Sequence, residues 1–167
     1  GIPDYSGLNS TNVNGFKNPW ASICDELVTG YGNASKYNNS DKNATNVSFH
    51  RYGDCYKAIR QANIFLQKAH VITAGGTQGD ELLEPELKRY QANARFMRAF
   101  YHYLLFEQYG PIIIVGDKVY EATESQDMSR NSVDEVVEYL DKELLASADE
   151  LSQEPIIDEN YRAEPTK

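Results

Sequence analysis

The stretch "ANARFMRAFYHYLLFEQYGPIIIV", Ala92 to Val115, limits what this chain can become more than any other. Between Phe96 and Phe106 nine of eleven residues are apolar or aromatic, and only Arg98 and His102 interrupt them. A helix of that composition is apolar on nearly all sides, so neighbours must cover it from more than one direction. It is not a membrane span. The longest unbroken aliphatic run, Ile112 to Val115, falls far short of the roughly 20 residues a bilayer requires.

The flanking periodicity supplies the neighbours. Tyr52, Cys55, Tyr56, Ile59, Ala62, Asn63, Leu66, Ala69 and His70 recur at three-and-four spacing, which predicts a helix of five turns or more over Val47 to Ile72. "TAGGTQGD" breaks it. Pro85 suits the first turn of a second helix that runs to about Tyr109, where Gly110 and Pro111 end it. A loop follows, and Ser132 with Glu135 then forms a capping box for a third helix. Its apolar stripe is Val133, Val136, Val137, Leu140, Leu144, Ala148 and Leu151. The chain is expected to divide into a loop-rich segment 1–46 with one short helix near Asn18 to Thr29, a helical region 47–151, and an extension 152–167. Three helices cannot cover the central one completely, so a stacked helical array with further repeats is expected. Gly1 in place of an initiator Met, and an end at "EPTK", read as the cut ends of a longer protein.

Charge narrows the partners. A formal charge of −9 with no Lys/Arg run opposes a phosphate backbone, so nucleic acid is not expected. Nor is a metal or cofactor, because Cys24 and Cys55 stand in no ligand spacing and "DKNATN" lacks the Gly and Glu of a calcium loop. The two cysteines are open to either reading, free thiols or one disulfide. Catalysis is not expected: no nucleophile elbow, zinc-protease or phosphate-loop motif appears, and Asp25 and Glu107 share no motif that would oppose them.

Two groups of residues invite a binding reading. Gln91, Arg95, Arg98 and His102 share one helical stripe, which would suit an anion or sugar hydroxyls. Arg98 and Asn63 sit among apolar residues, however, and a buried polar group left unpaired costs roughly 1–3 kcal/mol, which favours a scaffold role. The rings Phe96, Phe100 and Phe106 are at helical spacing and are expected in the core. The early loop is the better candidate: Trp20, Tyr31, Tyr37, Asn38, Asn39 and Asp41 combine stacking faces with short hydrogen-bonding side chains, the chemistry that receives a sugar.

"YKAIRQANIFLQKA", "ARFMRAFYHYLLFEQYGPIIIV" and "RNSVDEVVEYLDKELLASADEL" follow one another in the order and spacing of the SusD/RagB family, which this chain resembles in its amino-terminal third. The absence of small residues between Gly110 and Pro111 is a local departure from the family's pattern. The resemblance implies an all-α fold of tetratricopeptide-like helix pairs and a surface-exposed outer-membrane lipoprotein of Bacteroidetes. It implies capture of a glycan without catalysis, a SusC-like TonB-dependent transporter as partner, and contact with the membrane only through a lipid anchor. Ligand contacts would come partly from the early loop region and partly from a carboxy-terminal portion. The competing expectation is a helical-repeat scaffold that binds peptide or protein.

Overall fold

The computed structural model describes residues 51–71, 83–121, 124 and 127–151, together with Asn43 and Pro165. The chain divides into two units, residues 1–50 and 51–167. Apart from Asn43 the first lies outside the described residues, and with it the helix expected near Asn18. The second unit contains α1, Tyr52–Lys68, α2, Glu84–Tyr109, and α3, Val133–Glu150. The described architecture is all-α, with α1 and α3 both packed on α2.

The apolar stripe of α1 is inward, and Cys55, Ile59 and Asn63 are buried along it. The helix stops at Lys68, four residues before the expected end, because Ala69 turns extended at φ −67° and ψ 128°. His70 is therefore exposed and belongs to no helical face. At the other end Arg51 gives no side-chain cap. Two N–H groups there are satisfied from α2: the Tyr109 phenol oxygen accepts from Arg51 N at 3.0 Å and from Tyr52 N at 3.1 Å. Tyr109→Phe keeps the ring, which meets Tyr52 edge-on with centroids 5.3 Å apart, but leaves both donors without the phenol. Such a loss should lower the urea-unfolding free energy by about 1–3 kcal/mol.

Pro85 lies in the first turn of α2, and the Glu86 carboxylate accepts from Leu83 N at 3.3 Å. Gly110 ends the helix in the left-handed region, φ 67°. The central core joins Cys55 and Ile59 of α1 to Leu105, Ile112, Val136 and Leu140. Phe106 packs against it, as expected of the ring-rich stretch. Phe96 and Phe100 do not join it. They are half-buried and stack on each other with centroids 6.1 Å apart, while Phe100 also stacks on Tyr103, which is 43% exposed. The reason is geometric: positions 96, 100 and 103 share a line of α2 that faces away from α1 and α3 among the described residues.

On α3 the capping box forms as read, with Ser132 Oγ accepting from Glu135 N and the Glu135 carboxylate accepting from Ser132 N. Only part of its apolar stripe is used. Val136, Leu140 and Leu151 are buried, whereas Val133 and Val137 are 46% and 50% exposed, and Ser147 is buried as well. Among the described residues no helix is long and apolar enough to cross a membrane.

The segment after α2 is held by a backbone hydrogen bond and several from side chains. Ile112 is buried and its carbonyl accepts from Asn131 N at 2.7 Å, while Asn131 Oδ1 accepts from Ile114 N at 2.9 Å. The Tyr56 hydroxyl donates to the Ile113 carbonyl at 2.9 Å and accepts from Ile113 N at 3.1 Å. The chain then turns at Gly116, φ 62°, and returns along α1. Tyr56, Arg60, Asn63 and Gln67, spaced four, three and four apart, reach the carbonyls of both limbs: Ile113, Tyr120, Gly116 with Lys118, and Asp117 respectively. In this polar line beside the apolar stripe, Tyr56 and Asn63 satisfy part-buried backbone groups, while the Arg60 and Gln67 bonds are exposed.

Candidate functional site

Among the described residues two concavities and one buried polar network could carry chemistry, and their residue composition separates them. The network is centred on Arg98, which is 3% exposed. One guanidinium nitrogen donates to Asn63 Oδ1 at 3.1 Å and to Asp117, and the other donates to Glu143 of α3. Asn63 completes the link, its amide nitrogen donating to the carbonyls of Gly116 at 2.8 Å and Lys118 at 3.1 Å. Burial works against the charge of Arg98, but the Glu143 and Asp117 hydrogen bonds and nearby negative charge hold its pKa above the ordinary arginine value. Arg98 thus ties α1, α2, α3 and the turn at Gly116 together. Its two terminal nitrogens are already engaged, so it acts as a strut.

Beside it, His102 is fully buried, its Nδ1–H donating to the Arg98 carbonyl at 2.9 Å. Its ring meets Tyr139 edge-on with centroids 5.0 Å apart. Burial pushes the His102 pKa down to about 4 and the Tyr139 phenol up to about 12. Burial also raises the Cys55 thiol, which is free. None of these groups lines either of the two concavities formed by the described residues.

The first concavity, about 580 Å³, lies along Leu66, Gln67, Gln91, Arg95, Arg98 and Asp117, with Lys88 and Glu150 at its edge. Three of the four residues on the expected stripe, Gln91, Arg95 and Arg98, line it, and His102 does not. Its cations are matched: Arg95 pairs with Glu150, Arg98 with Asp117, and Lys88 with Glu84 at 2.7 Å.

The second, a groove of about 360 Å³, runs between the amino-terminal half of α1 and the two limbs after α2. Tyr52, Tyr56 and Tyr120 supply rings, Ile113, Val115 and Met128 an apolar floor, and Lys57, Arg60 and Lys118 a basic rim. The rings are set by packing: Tyr52 leans on Tyr56 with centroids 4.8 Å apart, and Tyr56 is locked by its two hydrogen bonds to Ile113. Lys118 sits 4.3 Å from the Tyr120 ring centroid and pairs with Glu124. An apolar pocket of this size with a few convergent polar groups is the usual form of a small-ligand site. The sequence reading missed it. Tyr52, Tyr56 and Arg60 at i, i+4 and i+8 were a visible line, but Lys118, Tyr120 and Met128 come from a loop without periodicity. The six residues expected to bind, Trp20, Tyr31, Tyr37, Asn38, Asn39 and Asp41, lie outside the described residues.

Comparison with known proteins gives the context. Residues 12–167 match the model of a SusD-like family described as starch-binding and associating with the outer membrane. A laminarin-binding SusD-like protein of solved structure superposes with a TM-score of 0.63 at 19% identity, over 80% of this chain and 26% of its own. A SusD-like carbohydrate-binding protein from Bacteroides fragilis gives 0.60 at 19% identity over 96% and 27%, and a SusD-like protein from the same organism 0.55 at 21% over 69% and 20%. The chain therefore spans about a fifth to a quarter of the length of these structures. No curated protein sequence matches it.

Proposed function

The chain belongs to the SusD-like family, and on that premise we propose that it captures an oligosaccharide or polysaccharide at the cell surface. The captured glycan is then delivered to a SusC-like TonB-dependent transporter, with no bond made or broken. The family match over residues 12–167 carries this reading. The carbohydrate-binding and laminarin-binding neighbours support it, and so does a scaffold that holds tyrosine rings and a basic rim around a groove. The protein would be held at the outer membrane by a lipid anchor.

In this proposal the early loop, within a segment 1–46 distinct from the helical region 47–151, provides glycan contacts through Trp20, Tyr31, Tyr37, Asn38, Asn39 and Asp41. Stacking on an indole face is worth on the order of 1 kcal/mol or more beyond its buried area, close to tenfold in affinity. Because Trp20 is the one tryptophan of the chain, its fluorescence reports directly on this contact. A saturable change is expected with a glycan from a panel, no change with peptides, and a roughly tenfold weaker affinity for Trp20→Ala by calorimetry. A response to peptides alone would overturn the proposal. Release of shortened sugars on long incubation would overturn its non-catalytic part.

A further inference from the structure

The sign of the charge around the α1 groove is opposite to that of the molecule. The chain carries a formal −9, yet among the described residues the groove lining contains Lys57, Arg60 and Lys118 and no carboxylate. In the neighbouring concavity every cation faces an acid, whereas in the groove Lys57 and Lys118 do and Arg60 faces none among the described residues, so the imbalance rests on Arg60.

Arg60 is the centre of it. Its guanidinium makes one long hydrogen bond, 3.4 Å to the Tyr120 carbonyl, and no ion pair with any described residue. A guanidinium presents five donors in a planar fork suited to two-point contact with a carboxylate or sulfate. Most of that fork is open to solvent, beside rings that offer an apolar surface. Lys57 and Lys118 do have acids nearby, Asp54 at 3.2 Å and Glu124. The Lys57–Asp54 pair is highly exposed and the Lys118–Glu124 pair partly so. Exposed pairs contribute about 0–1 kcal/mol, so an incoming anion can displace them.

We propose that this groove is a subsite for an anionic sugar, a saccharide unit bearing a carboxylate or a sulfate ester, with the acid on Arg60 and the apolar sugar face against the tyrosine rings. The subsite rests on the glycan-capture reading and adds to it the class of sugar taken. A neutral sugar would gain the ring contact but leave the rim cations as solvated as before. An acidic one gains both, and the gain shrinks with salt because the rim is exposed.

The test is calorimetric titration of the protein with oligogalacturonate, a sulfated oligosaccharide and a neutral β-glucan of equal length, at low and high ionic strength. At least one acidic oligomer is expected to bind roughly tenfold or more tighter than the neutral one at low salt, the margin narrowing at high salt. Which acid wins separates uronate from sulfate ester. Arg60→Ala should remove about tenfold for the acidic oligomer and leave the neutral one unchanged, with an unaltered melting curve. Lys118→Gln should act in the same direction, and Lys88→Ala in the other concavity should have no effect. Equal binding of neutral and acidic oligomers, indifferent to Arg60→Ala and Lys118→Gln, overturns the anionic subsite and leaves glycan capture standing. Binding of no saccharide at all overturns both.

Discussion

Arg98→Met is expected to destabilise the helical unit by about 3–5 kcal/mol, measured as a shift in the urea midpoint at neutral pH. Net stabilities of single domains run roughly 5–15 kcal/mol, so the variant should be near its folding limit. The cost comes from what is left behind. Glu143, whose side chain is only 16% exposed, would keep its charge with no counterion, and Asn63 Oδ1 would lose its donor. Asp117 matters little, being 87% exposed and hydrated in either case. Removing both partners, Arg98→Met with Glu143→Leu, should recover most of the loss, because a buried pair replaced by apolar groups of similar volume is often close to neutral. Arg98→Lys should recover less, since one ammonium cannot span Asn63, Asp117 and Glu143 together. A loss below about 1 kcal/mol in Arg98→Met would show that Arg98 is not the strut described here.

The same residue marks how far the sequence could be read. Its burial and structural role followed from one argument, that a charge within "RFMRAFYHYLLF" must find partners. The identity of the partners did not follow. They lie 35, 19 and 45 positions away, on α1, on the turn after α2 and on α3, and no periodicity links those places. The boundaries of α2 were legible because Pro85 and Gly110 act through local backbone geometry, and the start of α3 because Ser132 and Glu135 cap each other across one turn. The end of α1 was not, since the last tertiary hydrogen bond from it among the described residues is Gln67 on the Asp117 carbonyl, and the apolar spacing of Ala69 to Ile72 carries no sign of that limit.

Apolar spacing also overstated the buried width of α3. Val133 and Val137 belong to the same sequence stripe as Val136 and Leu140, but α3 packs chiefly on α2 among the described elements, and their side of the stripe stays open. Ser147 went unread for the converse reason. A hydroxyl that donates to the Leu144 carbonyl at 2.9 Å satisfies itself within the helix and can be buried like an alanine. The groove was hidden because it is assembled from a helix face and two limbs of a loop that turns at Gly116. Within the "IIIV" run Ile112 is interior packing. Ile113 lines the groove instead, because extended backbone sends alternate side chains to opposite sides, and Val115 both lines it and packs on the core.

Stability is expected to fall by roughly 3 kcal/mol as pH drops from 6.5 to 4, through His102 alone. Above pH 6.5 the imidazole is neutral in both the folded and the unfolded chain, and its contribution to stability is fully present. Below 6.5 the unfolded chain takes up a proton that the folded protein refuses until about pH 4, because the ring is fully buried. The groups facing it are Arg98 on its own helix, whose charge opposes protonation, and Glu143 and Tyr139 on α3, of which Glu143 favours it weakly. Between the two pKa values the unfolded state therefore binds more protons, so stability rises with pH there and is flat below pH 4 as far as this group is concerned. His102→Gln retains a donor for the Arg98 carbonyl and removes the titration. Other acid-sensitive groups act equally in both proteins, so the difference between the two urea-derived stability curves isolates the histidine. That difference should grow steadily from pH 6.5 down to about 4. Parallel curves across this window would mean that solvent reaches the ring in the folded protein, and that the interface between α2 and α3 around Tyr139 opens before the molecule unfolds.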